Sequence, residues 1–297
     1  MKEAFTEFNF RVKTLEVINA ANEIIEDYSK QGYSLTLRQL YYQFVSRALI
    51  ENSERSYKNL GSIINDGRMA GMIDWDAIED RGRNLKKNSH WDSPSEIADT
   101  CVEAYYKDHW ANQDFRVEVW VEKEALAGVA EAACNPLDVP FFCCKGYTSQ
   151  SEMYAAAQRI TSYINEGKRA VVIHLGDHDP SGIDMSRDIH ERLTTFSRGE
   201  AIGFKRIALN MDQVDAFNPP PNPAKQTDSR FAEYRRRFGG KSWELDALEP
   251  KVLVRLIQDT IKDYRDPALW EEINDQQAEG KRLLRKMVSG LKREEGK

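Results

Sequence analysis

From residue 117 onward, short runs rich in β-branched residues alternate with segments of helical period, and that alternation restricts the fold more than any other feature. VEVWV (117–121), VPFFC (139–143), AVVIHL (170–175) and FKRIAL (204–209) read as strands, and 124–133, 151–164 and 183–193 read as helices between them. A strand that returns in the same direction needs a crossover, and a helix is its usual form. The pattern therefore predicts an α/β fold with a mainly parallel sheet.

The N-terminal part reads differently. Residues 10–28, 34–49 and 57–69 have helical apolar spacing, and 74–83 adds a short helix. Three short helices with a turn between the second and third suggest a helix-turn-helix or winged-helix unit. The polar stretch GRNLKKNSHWDSPSE links it to the rest. Two domains are expected, over residues 1–95 and 112–297, which a chain of 297 residues accommodates. FNPPPNPAKQTDSR (217–230) reads as a proline-rich loop, and helices close the chain.

No apolar run is long enough to cross a bilayer, and MKEAFTEFNFRVK has acidic residues where a secretory signal needs basic and then apolar ones. A cytoplasmic protein with no membrane partner is expected. The four cysteines, Cys101, Cys134, Cys143 and Cys144, show no metal-ligand spacing and read as buried free thiols. Net charge is −6, but it is unevenly spread: residues 117–197 carry 7 basic and 12 acidic side chains. A bound cation would relieve that excess.

The excess has a focus. In a parallel sheet functional groups gather at the carboxyl ends of strands. Glu122 follows VEVWV, and Asp177 and Asp179 follow VVIHLG, so three carboxylates from two strands can converge at one edge. Like charges this close oppose one another unless something positive sits among them. Hard oxygen donors with few protein ligands suit Mg2+, which keeps water and completes its shell with phosphate. The plainer alternative is an Asp N-cap with a second Asp in the turn. His174 reads as an interior histidine and His178 as a turn residue, so zinc is disfavoured. GGKS (239–242) lacks the earlier glycine and the preceding strand of a phosphate loop.

A second focus lies in TLRQLYYQF (36–44). Thr36 and Gln39 match a capping box. At about 100° per residue, Leu37, Leu40, Tyr41, Phe44, Val45 and Ala48 form one apolar stripe, with Tyr42 off its side and Arg38 one turn earlier. Tyr41 is expected to pack and Tyr42 to reach outward. A nearby guanidinium favours phenolate and can hold a phosphate under attack.

Glu122 in VEVWVEKEAL with the LGDHDPSGIDM run resembles the acidic triad of the TOPRIM domain, a fold shared by topoisomerases, primases and some nucleases. Together with Arg-x-x-Tyr-Tyr in a helical domain ahead of it, the chain resembles the A subunit of type IIB topoisomerase VI, the meiotic double-strand-break transesterase and the compact Mini-A relatives. KSWELDALEP (241–250) is similar to that family's Glu-Leu-Glu-Ala-Leu-type segment. The resemblance spans roughly residues 30–260; the chain is shorter than a typical A subunit, and the histidine inside DHD is unusual for it. It implies Tyr42 as nucleophile, Arg38 as its partner, and Glu122, Asp177 and Asp179 as Mg2+ ligands. It further implies double-stranded DNA as substrate, a 5′-phosphotyrosyl intermediate and a homodimer, with a separate B-type ATPase subunit as a further partner. A metal-dependent TOPRIM nuclease and a non-catalytic DNA-binding protein are the alternatives.

Overall fold

The computed structural model describes residues 1–32, 34–78 and 88–295. Three helices open the chain: α1 (Val12–Ser29), α2 (Leu37–Ser46) and α3 (Glu54–Met69). Their apolar faces meet in one core built on Ile18, Ile24, Leu40, Phe44, Leu60 and Ile64. The expected short helix at 74–83 is a single 3-10 turn at Trp75–Ala77 within the described residues; 79–87, with most of the expected linker's first half, lies outside them. Helix α4 (Pro94–Ala104) follows, capped by Ser93, whose hydroxyl accepts the Glu96 N–H at 3.1 Å. Among the described residues up to 104 bridging is limited to the isolated pairs Ala4–Ala70 and Leu35–Ile78, with no strand ladder.

The alternating region folds as its pattern requires. Strand β1 (Phe115–Val121) leads through α5 (Ala127–Cys134) to β2 (Phe141–Cys143), and α6 (Gln150–Asn165) leads to β3 (Arg169–Leu175). Helix α7 (Pro180–Phe196) then leads to β4 (Gly203–Ala208). The four strands form one sheet of order β2-β1-β3-β4, every pair parallel. Alternate side chains divide between the two faces. Val117, Val119, Val121, Val171, Ile173 and Leu175 enter one core, while Trp120, Ala170 and Val172 enter the other. Both faces are covered by helices, and the charged Glu118 that β1 turns toward one of them is buried in an ion pair with Arg159 of α6.

The remaining elements are α8 (Met211–Phe217), β5 (Asn222–Pro223), α9 (Phe231–Phe238), β6 (Lys241–Ser242), α10 (Pro250–Lys262) and α11 (Pro267–Glu295). The proline-rich stretch thus contains β5, which pairs antiparallel with β6. Helix α10 lies against α5, on the β1 and β3 face defined by Val119 and Ile173. Among the described residues no helix is long and apolar enough to cross a membrane.

The chain runs from β1 outward to β2 and then returns to place β3 on the other side of β1. Strand order reverses there, leaving a crevice beyond the carboxyl ends of β1 and β3, where α/β sheets bind ligands.

Candidate active site

Glu122 immediately follows β1, and Asp177 lies two residues beyond β3, at the reversal point. Their strands are in register, Val121 opposite Leu175. The Glu122 N–H donates to Leu175 O at 2.9 Å, and the Asp177 N–H donates to Glu122 Oε2 at 2.8 Å. Gly176 makes this approach possible: a Cβ there would lie 2.9 Å from Glu122 Oε2. At Gly182 a Cβ would lie 2.3 Å from Asp177 O, so α7 can start this close to the strand end only with glycine there.

Asp179 caps α7. Its Oδ1 accepts the Gly182 N–H at 2.6 Å and the Ser181 hydroxyl at 3.0 Å. The N-cap alternative is thus realised for this residue. Burial pushes the Glu122 carboxyl above its usual range, and Asp179 adds to that shift. Burial pushes Asp177 well above its range too, with Glu122, Glu244 and Asp246 acting in the same sense and Lys123 against it.

Arg206, from β4, lies beneath this edge. It donates to the carbonyls of Gly176 (2.9 Å), Asp177 (2.7 Å), Gly182 (3.0 Å) and Leu209 (3.2 Å), and to Ser186 Oγ at 2.7 Å. Burial lowers its pKa to about 10 although Glu122, Asp177 and Asp179 favour its charge. The guanidinium ties together the carbonyls that shape the turn.

The acidic side chains whose ligand atoms come within 4.8 Å of one another are Asp177, Glu244 and Asp246, the one such group among the described residues. Glu122 and Asp179 flank Asp177 but do not complete that group. Glu244 and Asp246 lie just after β6, in the WELDAL segment, and Asp177 Oδ1 accepts the Leu245 N–H at 2.8 Å. Lys123 Nζ contacts all three acids, at 2.9 Å from Asp177 Oδ1 and 3.1 Å from Asp246 Oδ1, with a further ion pair to Glu244. Burial opposes its charge, but Asp246, Asp177 and Glu244 outweigh burial and raise its pKa. Two of these three acids also bind α2, through Arg38 Nη2 to Glu244 Oε2 and Arg38 Nε to Asp246 Oδ2, each 3.0 Å.

Helix α2 begins as its capping box requires. Thr36 Oγ1 accepts the Gln39 N–H at 3.2 Å, and Gln39 Oε1 accepts the Thr36 N–H at 2.9 Å. Tyr41 packs as expected, its hydroxyl donating to Asn52 Oδ1 at 2.9 Å and accepting the Ser53 N–H at 2.9 Å. Tyr42 does not reach outward; it is 5% exposed. A helical wheel gives the angle of a side chain but not what packs there, and the 244–247 segment covers that side of α2. Arg38 does lie beside Tyr42, its Cζ 5.8 Å from the ring centroid. Nor is the phenol activated. Burial raises its pKa, Glu244 and Asp246 add to that, and the opposing pull of Arg38 and Lys123 is smaller. Tyr42 and Arg38 line a cavity of about 290 Å³ with Tyr41, Ser53, Tyr57 and Asn222.

His174 is an interior residue as expected, and His178, expected in a turn, is buried as well, in a backbone bridge to Trp243. His174 is buried against Ser186 Oγ at 3.0 Å, and burial, helped by Arg206, lowers its pKa to about 3. His178 meets the Tyr234 hydroxyl at 2.8 Å and packs against Phe238 and Trp243. Of the cysteines, Cys134 and Cys144 are buried as expected; Cys101 is exposed and Cys143 half-buried, so the expectation of four buried thiols fails for those two.

Glu244 and Asp246 were visible in the sequence as two acids one residue apart, the same spacing as DHD, but the strand before them, β6, is only two residues long and leaves no apolar run to mark a sheet edge. Lys123 was visible only as the neighbour of Glu122, and Arg206 only as one residue of a strand. No protein-family model matches the chain, and no curated protein sequence matches it.

Proposed function

We propose that this protein is a DNA-cleaving transesterase of the topoisomerase VI A-subunit type, with a helix-turn-helix or winged-helix unit preceding a TOPRIM-like sheet. The observation that carries the reading is the meeting of α2 with the acidic strand edge: Arg38, one turn before Tyr42, pairs with Glu244 and Asp246, and Lys123 joins those acids to Asp177. A nucleophile-bearing helix and a carboxylate cluster thereby share one site.

Tyr42 Oη attacks a DNA phosphorus; the P–O3′ bond breaks, the tyrosine carries the 5′ phosphate, and its proton leaves with the 3′ oxygen. The covalent link conserves the bond energy, so rejoining needs no nucleotide. Arg38 holds the attacked phosphate by a planar, paired contact. The chain offers only carboxylate oxygens here, and Asp246 Oδ2 is a buried acceptor with no hydrogen bond, a donor set that fits Mg2+. Glu122, Asp177 and Asp179, or Asp177 with Glu244 and Asp246, would hold the ion. Bound Mg2+ supplies positive charge against the negative charge that develops on the phosphate. Exposed Arg235, Arg236 and Arg237 at the end of α9 are suited to the DNA backbone. Cutting both strands takes two nucleophiles, and so a homodimer.

Burial of Tyr42 and its raised pKa favour a second reading, hydrolysis by water with no covalent intermediate. One experiment separates the two. Incubation with supercoiled DNA and Mg2+, followed by denaturation, leaves protein attached to 5′ ends for a transesterase and free ends for a nuclease.

A further inference from the structure

The group formed by Asp177, Glu244 and Asp246 already holds a cation, and it belongs to the chain. Lys123 Nζ touches one oxygen of each acid. Its ammonium stands in for a positive ion among three carboxylates whose ligand atoms lie within 4.8 Å of one another. A second observation is independent of the lysine. The Asp246 side chain is fully buried, and its Oδ2 makes no hydrogen bond; Arg38 Nε lies 3.0 Å from it in an ion pair. Asp246 is therefore held from two sides by ion pairs with the chain's own cations, Lys123 on Oδ1 and Arg38 on Oδ2.

An ammonium and a small divalent ion cannot share these oxygens. Mg2+ takes its oxygens at about 2.0–2.1 Å, so it would occupy the volume that Lys123 Nζ fills. We propose that Lys123 is a built-in competitor for the divalent cation: its ammonium closes the Asp177–Glu244–Asp246 group, and a divalent ion enters by displacing it. This rests on reading the acidic edge as a metal-dependent site. The lysine is suited to the part, since it leaves the end of β1 on a flexible four-carbon stem and can withdraw with little backbone movement. Displacement also reaches α2. Glu244 and Asp246 are the acids that hold Arg38, so an ion that takes their oxygens loosens Arg38 beside Tyr42. Entry of the cation and release of the arginine become one event.

The test is Mn2+ binding to the full chain without DNA, measured by calorimetry for the wild type, Lys123→Met and Glu244→Gln. Methionine keeps the stem and removes the charge. Lys123→Met should bind Mn2+ at least roughly tenfold more tightly, because no ammonium competes at contact distance. Glu244→Gln should bind at least roughly tenfold more weakly, since a charged ligand is lost. Equal affinity of Lys123→Met and wild type overturns the proposal. Should Lys123→Met fail to fold without metal, Glu244→Gln decides it: that variant keeps Lys123 paired with Asp177 and Asp246, and unchanged Mn2+ affinity places the ion elsewhere and overturns the proposal. Trapping of wild-type protein on DNA is a separate measurement. Its failure with the Mn2+ competition intact removes the transesterase reading alone.

Discussion

Arg38 Nε and Asp246 Oδ2 lie 3.0 Å apart, joining the second helix of the chain to a turn that follows the last strand. The pair is asymmetric: the Asp246 side chain is completely buried, whereas that of Arg38 is 45% exposed. A buried carboxylate is held by a guanidinium that can also face an incoming anion. Burial disfavours the charge of Arg38, but Asp246 and then Glu244 overcome it and raise the pKa.

Arg38→Ala should therefore affect both parts. Stability should fall by about 1–2 kcal/mol, less than for a fully buried pair because the guanidinium is half-exposed and Lys123 still contacts both acids. The covalent adduct should fall far more than that loss of folded protein explains, and Arg38→Lys should restore stability better than adduct, since an ammonium cannot make the paired phosphate contact. Denaturant titration and trapping on the same preparations check this. Adduct that tracks only the folded fraction would assign Arg38 a purely structural role.

The two tyrosines should separate cleanly. Tyr41→Phe loses hydrogen bonds with Asn52 and Ser53 and should cost about 1 kcal/mol, because the half-buried Ser53 N–H loses its partner, while adduct formation persists. Tyr42→Phe should fold and bind DNA as the wild type does and form no adduct. Peptide mapping of trapped complexes identifies the tyrosine; a nucleotide on Tyr41, or cleavage that survives Tyr42→Phe, favours the hydrolytic reading.

Asp179 needs a variant that keeps its cap. Asparagine is as good an N-cap as aspartate, whereas alanine costs about 1 kcal/mol. Asp179→Asn should leave the melting temperature near that of the wild type and Asp179→Ala should lower it. Metal-dependent adduct should be lost in Asp177→Asn and in Asp179→Asn. Adduct retained in Asp179→Asn alone would reduce Asp179 to its cap and leave Asp177 with Glu244 and Asp246 as the acidic set.

His174 should contribute to acid sensitivity. Its folded pKa of about 3 lies below the ordinary value of 6.5, so its contribution to stability is present above 6.5 and is lost as pH falls from there toward 3. The unfolded chain takes up the proton first. Over that interval the loss should reach about 1.4 kcal/mol per pH unit, and His174→Gln should lack that share. Unfolding free energies at pH 6.5 and 5 give the slopes; identical slopes in the two proteins would refute the assignment.

The sequence by itself determined the parts of this protein that depend on local pattern. Short apolar runs rich in β-branched residues, separated by helical segments, specified the parallel sheet, because a strand covered on both faces needs apolar residues on both. The Thr36 and Gln39 spacing specified the start of α2, because that capping box closes within four residues. Glu122 and Asp177 could be placed together because both end strands of one sheet. What lies across those elements was decided only by the tertiary structure. The wheel left Tyr42 on an open side, and residues 244–247, about two hundred positions later, cover it. Glu244, Asp246 and Lys123 show no shared spacing, and they meet because β5 and β6 return the chain over the end of the sheet. Charge also depends on that return. An arginine beside a tyrosine suggests an acidified phenol, but burial of the ring, with Glu244 and Asp246 adding to it, outweighs the arginine, since burial and the sum of nearby charges, not the adjacent residue alone, set a pKa.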